Sequence, residues 1–162
     1  SAHYYASAQD VIEEFKNGGG DDARALDEYD LDKMWDAMHK TLTGKNMFEA
    51  MSAGEIFVTP NPLSWAIFGC GMADEEGSEA VSYVDADDVK AVAKAMSDTD
   101  IDALLSKVNL AEFGAAGTYP EIWEYESEFE DIKAELKERF SGLLSFYQNA
   151  ADKGLGVLIV IA

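Results

Sequence analysis

One cysteine in 162 residues, Cys70, leaves the chain unable to form an intrachain disulfide, so its core must hold the fold. That cysteine usage fits a reducing cytoplasm. Only two histidines are present, His3 and His39. With a single thiol they cannot supply a conventional structural zinc site. Cations are also scarce: 12 Lys plus Arg stand against 32 Asp plus Glu, a net charge of −20. Such a surface repels the phosphates of nucleic acids and anionic membrane surfaces alike. It favours solubility and attracts basic proteins. Ten of the twelve basic residues are Lys, which does not fit the surface of a protein from a salt-loving host. Long apolar runs are missing too. The longest, Val157 to Ala162, falls far short of the ~20 residues of a membrane span. The opening SAHYYASAQD has no charged region followed by an apolar run, so it does not read as a signal peptide.

What is present points to a packed globule. Hydrophobic residues make up 48% of the chain, and a chain of this length buries about two-thirds of its unfolded surface in one core. His3 to Tyr5 suggest a short strand. Ser7 is placed to cap a helix carrying Val11, Ile12 and Phe15, ended by Asn17 and Gly18. Gly18 to Asp22 read as a solvated loop. Asp30 is placed as N-cap of a helix over 30–44, with Leu31, Met34, Trp35, Met38 and Leu42 at helical spacing and Gly44 as its left-handed end. Residues 45–60 read as irregular, with a short strand at 56–59. Asn61-Pro62 starts a short helix through Phe68, broken by Gly69-Cys70-Gly71.

Residues 74–78 read as a loop and 80–84 as a strand. Asp85 caps the next helix, and Asp98 or Thr99 starts another. Leu110 to Phe113 add a turn before a loop over 114–120. The longest helix spans 127–152, with Phe129, Ile132, Leu136, Phe140, Leu143 and Tyr147 as its buried stripe. Residues 155–162 form an unbroken apolar run of strand length, which suits a strand covered on both faces in mid-sheet. The expected architecture is α/β, or α+β. It is a single compact domain over 1–162, with several helices around a small mixed sheet that includes the C-terminal strand.

Complete catalytic and ligand motifs are not found. Asp98, Asp100 and Asp102 begin a calcium-loop pattern, but Ala103 and Asn109 stand where Gly and Glu are required. Gly154-x-Gly156 precedes a strand, whereas phosphate binding needs a following helix N-terminus. No Walker-type run and no Gly-x-Ser-x-Gly elbow occur. Cys70 follows a helix, away from basic residues, so it reads as a buried thiol rather than a nucleophile paired with His39. Residues 121–131 hold six acids and no base. They read as a solvated helix start with Trp123 and Phe129 turned inward, or as a docking face for a cationic partner.

His39 flanks the apolar stripe of its helix, four residues after Trp35 and three before Leu42. There it either completes the core by bonding a carbonyl or lines a pocket and exchanges protons. A candidate pocket gathers Trp35, His39, Thr43, Ser64 and Trp65, closed by Tyr119 and Trp123.

The same segments carry a family resemblance. Leu31-Asp32-Lys33-x-Trp35-Asp36-x-x-His39-x-x-Leu42-Thr43-Gly44, with Pro62-Leu63-Ser64-x-Ala66-Ile67-x-Gly69, resembles the YfbM-like proteins, a bacterial family of unknown function. Tyr83-Val84-Asp85-x-x-Asp88-Val89, Tyr119-Pro120-x-x-Trp123 and Phe146-Tyr147-x-x-Ala150-Ala151-x-x-Gly154 agree in order. At the N-terminus only Ala2 to Ala6 stand for the Met- and Gly-containing strand with which the family usually opens. The resemblance implies one α/β domain with a compact sheet, and no activity, cofactor, metal or catalytic residue. Three readings of function follow: a cytoplasmic binding or interaction domain without catalysis, a small-ligand binder or enzyme with its pocket near His39, and an acidic inhibitor of a basic protein.

Overall fold

A computed structural model describes residues 1–19, 24–74 and 80–162, with the side chain of residue 74 excepted. Residues 20–22 of the expected glycine-rich loop and 75–78 of the expected acidic loop lie outside the described residues. Among the described residues five strands form one sheet: β1 (Ala2–Ser7), β2 (Asp27–Asp32), β3 (Gly71–Asp74), β4 (Ala80–Val84) and β5 (Gly156–Ile161). Their order is β2-β1-β5-β4-β3. The apolar C-terminal run is therefore the central strand.

Every pairing is antiparallel, not mixed as expected. Unbroken hydrophobicity in β5 reports burial on both faces, and it carries no information on strand direction. Val157 and Ile159 join the main core, while Leu158 points the other way onto Ile12 and Ala73, as strand alternation requires.

Eight helices appear among the described residues. They are α1 (Gln9–Lys16), α2 (Trp35–Thr43), α3 (Met47–Ser52), α4 (Pro62–Phe68), α5 (Ala86–Ser97), α6 (Ile101–Lys107), α7 (Leu110–Ala115) and α8 (Phe129–Asp152). Helices α4, α5 and α8 pack on one sheet face, and α1 packs on the other. Tyr4 of β1 and Tyr147 of α8 lie wholly inside the main core. Their hydroxyls donate to the carbonyls of Ile67 and Ala66 at the end of α4, at 3.3 and 2.9 Å. Buried hydroxyls need such acceptors.

Local expectations fared unevenly. The helix predicted over 30–44 begins only at Trp35, and Asp30 lies in β2. Tyr29 and Leu31 alternate inward along that strand, and pairing with β1 overrides the weak strand propensity of Asp. The Asp30 carboxylate accepts from the Asp32 amide at 2.7 Å, a local turn contact rather than a helix cap. Gly44 takes the left-handed C-terminal position, φ 85°. Ser7 ends β1 and is buried; α1 is entered through Ala8 without a side-chain cap.

No strand forms at 56–59, which is a turn. Residues 47–52, read as irregular, form α3. Its start is a capping box in which Asn46 accepts from the Glu49 amide and Glu49 accepts from the Asn46 amide. Asp85 precedes α5, yet its carboxylate is held by Lys16 and Gln9 of α1 instead of the helix amides. Asp100 caps α6 by accepting from Ala103, which accounts for one of the calcium-pattern acids.

Candidate functional site

Helices α2 and α4 pack against each other and bring His39 to Ser64. Asn61 caps α4 by accepting from the Leu63 amide at 3.0 Å, with Pro62 in its first turn, so Ser64 sits on the turn that faces α2. The two ring nitrogens of His39 are both engaged. Nδ1 meets the Lys45 carbonyl, and Nε2 lies 2.8 Å from the Ser64 hydroxyl. A carbonyl only accepts, so Nδ1 carries the proton and Nε2 accepts from Ser64. Thr43 lies beside them: its hydroxyl donates to the His39 carbonyl at 2.8 Å and is 3.2 Å from Nδ1.

A hydroxyl bonded to a neutral imidazole is the start of a nucleophile, but this one is sealed. His39 is 2% exposed and Ser64 7%. The Phe68 ring lies over the imidazole with centroids 4.2 Å apart. Burial lowers the pKa of His39 from 6.5 to about 4, against the opposing effect of the Lys45 carbonyl. A general base working at neutral pH is best matched near that pH.

The remaining predicted residues are dispersed around this pair. Trp35 is buried against Phe68 and Tyr119, at centroid distances of 6.1 and 5.6 Å. Its indole N–H has no acceptor among the described residues. Trp65 turns its N–H to the Thr59 carbonyl at 2.8 Å. Trp123 donates to the Thr118 carbonyl at 2.8 Å and packs on Phe113, away from His39. None of the seven predicted residues lines the apolar pocket described below.

Sequence reasoning missed a buried polar hub beside the pair. Asp36 accepts from the amides of Met47 at 2.7 Å and Tyr119 at 3.0 Å. Asn46 donates to the Ala116 carbonyl at 2.8 Å and to the Thr118 hydroxyl at 3.2 Å. These bonds tie α2 and α3 to the loop after α7. Burial raises the pKa of Asp36, against the lowering effect of its two amide donors. The Asn46-x-x-Glu49 spacing was a readable signal for part of this hub.

Cys70 is half-buried, and its thiol is pushed up to about 12 by burial and by Asp88 and Asp85. It stays protonated and unreactive at neutral pH. Among the described residues no group of three or more His, Cys, Asp or Glu is placed to hold a metal ion. No helix among them is long and apolar enough to cross a membrane.

Two surface features remain. An apolar pocket of about 210 Å³ lies between α3 and the sheet, lined by Met47, Met51, Phe57, Phe68, Met72 and Ile161 among others. Phe68 is its link to His39. A groove of about 710 Å³ runs between α7 and the start of α8, with Trp123 and Phe129 in its lining. The six acids at 121–131 are all exposed, and Glu124, Glu126 and Glu130 edge that groove.

The sequence matches, over residues 3–160, a family described as a domain of unknown function (DUF1877). No curated protein matches the chain in sequence. In three dimensions it is similar to the crystal structure of a protein of unknown function, YfbM from Escherichia coli. The two share 20% identity with a TM-score of 0.77, over 99% of each chain. Likeness at that identity is likeness of fold. The family match runs almost end to end, and the fold agrees with it: the chain belongs to the DUF1877 family of YfbM-like proteins.

Proposed function

We propose that this protein is a cytoplasmic binding domain and not a catalyst. The carrying observation is the state of His39. Both ring nitrogens are spent on internal bonds, and the ring is closed off from solvent. The high pKa of the Cys70 thiol removes the other conventional nucleophile. The apolar pocket behind Phe68 supplies a place for a ligand, although none of the seven residues expected from the sequence lines it.

A thermal-shift screen against metabolites, metals and short peptides tests this reading. A ligand of the folded state raises the melting temperature, by mass action. The expected result is stabilisation by a bound compound with no turnover. Turnover of any library member that disappears in His39→Gln or Cys70→Ser would overturn it.

One observation favours a second reading, inhibition of a basic protein. The six exposed carboxylates at 121–131 form no ion pair among the described residues, and three of them, Glu124, Glu126 and Glu130, line a groove of mixed polarity that also holds Trp123, Phe129 and Lys133. Capture of a basic partner at low salt, released at high salt and lost when Glu124, Glu126 and Glu130 become Gln, would support it. Retention of the partner by that triple variant would remove it.

A further inference from the structure

We propose that the pocket between α3 and the β3–β4 end of the sheet is a socket for a basic, amphipathic peptide segment of a partner protein, which seats one large apolar side chain there. This rests on the binding-domain reading.

Ala80 pairs with Ile161, and Ser82 with both Ile159 and Met72. Met72, Ala80, Ser82 and Ile161 floor the socket, while α3 and the turn at Ile56 and Phe57 wall it. Among the described residues Ser82 is the one polar residue in its lining, and none that line it is charged. Burial of an apolar group against these residues is favourable.

The occupant is larger than the socket. Phe48 and Met51 of α3 are 62% and 58% exposed, and Val58, next to Phe57, is 76% exposed. A small molecule filling the socket would leave Phe48 and Val58, which do not line it, wet, whereas a peptide laid across α3 and the turn has the reach to cover them. Three of the lining residues are methionines, whose flexible thioethers adapt to irregular apolar partners. Phe57 holds its place in the wall with a left-handed backbone, φ 64°, a strained conformation for a bulky residue of the kind that clusters at ligand clamps.

Charge selects among apolar partners. The chain carries a net −20, so a second copy of itself and an anionic membrane are both repelled. Lys40 and Lys45, the cations flanking α3 in sequence, are each tied to an acid of this same region, Glu49 and Glu55. They add little repulsion toward an incoming base. A cationic segment with one apolar face satisfies both demands.

The test uses the full chain with methyl-labelled methionine, titrated with a short Leu/Lys peptide of helical periodicity. The controls are a scrambled peptide of the same composition, a Leu/Glu counterpart and a medium-chain fatty acid. Expected are salt-sensitive binding, methyl shifts at Met47, Met51 and Met72, and a loss of at least about tenfold in affinity in Met51→Gln. Met51 is exposed, so that variant should keep the fold; Met72→Gln is the second probe. Equal binding of the scrambled peptide, unchanged affinity in both variants, or shifts by the fatty acid but not the peptide would each overturn the socket. Stabilising ligands that leave these methyls unmoved would overturn it while sparing the binding-domain reading.

Discussion

His39 Nε2 and the Ser64 hydroxyl meet at 2.8 Å across the α2–α4 interface, and neither side chain is open to solvent. The pair has the connectivity of an activated hydroxyl and the environment of a core contact. Its environment decides the matter, because an imidazole with a pKa near 4 takes up a proton from a serine far less readily than one near 7. What the pair does for the protein is hold two helices together.

Acid should therefore loosen the fold through His39. The unfolded imidazole titrates at 6.5 and the folded one at about 4. Between those values the unfolded state binds the extra proton, so stability is fully present above 6.5 and falls as pH drops through this window. The shift corresponds to about 3 kcal/mol. Asp36, with its pKa raised, acts in the opposite sense: its contribution is present in acid and lost as pH rises. Urea titrations at several pH values should show a wild-type decline below 6.5 that His39→Gln lacks. Parallel pH profiles for the two proteins would refute this.

Removing the Ser64 hydroxyl strands a buried ring nitrogen. Ser64→Ala should cost about 1–3 kcal/mol at neutral pH. It should also draw the imidazole's titration toward its unfolded value if water enters the gap. Chemical denaturation gives the first quantity and histidine NMR titration the second.

Asn46 serves two elements at once, so its loss should exceed that of an ordinary cap. Asn46→Ala removes the cap of α3 and the bonds to Ala116 and Thr118. A cap alone is worth about 1 kcal/mol, and each stranded buried acceptor adds about 1 more. Asn46→Asp keeps the cap and loses the donor, so its midpoint should fall between those of wild type and Asn46→Ala.

Gly69 should not tolerate a side chain. Its backbone is left-handed, φ 79°, and an added Cβ would come within 2.7 Å of the Ser82 hydroxyl and 3.0 Å of the Tyr83 carbonyl. Strain and overpacking together predict a loss of at least about 2 kcal/mol in Gly69→Ala. Gly54 is also left-handed, but an added Cβ there would meet open space, so Gly54→Ala should cost less. Comparing their melting curves separates backbone strain from crowding.

Much of this fold was legible in local chemistry. Asn61-Pro62, Gly44 and the stripe of α8 announced themselves because caps and periodicity act within a few residues. The centrality of β5 was readable from its unbroken apolar run. Strand direction was not, and neither was β2, whose acid-rich Asp27–Asp32 becomes a strand only by pairing with β1. At the site, the edge position of His39 was visible, yet its state depends on Lys45 and on Ser64, twenty-five residues downstream. Asp36 gave no local signal of its role, because its partners Met47 and Tyr119 lie 11 and 83 residues away. Only the arrival of the Tyr119 amide, distant in sequence, makes it a buried strut.

The position of β5 also orders the events of synthesis. It lies between two antiparallel ribbons, β1–β2 and β3–β4, which have no strand pairing with each other. The segment that joins them is the last of these five strands in sequence, and Ser1 exchanges backbone bonds with Ala162, 161 residues away. A growing polypeptide can form either ribbon early. It cannot close the sheet until residues 156–161 have left the ribosome, so this domain should gain its native cooperativity only once that strand has emerged, with its longest-range contacts forming last.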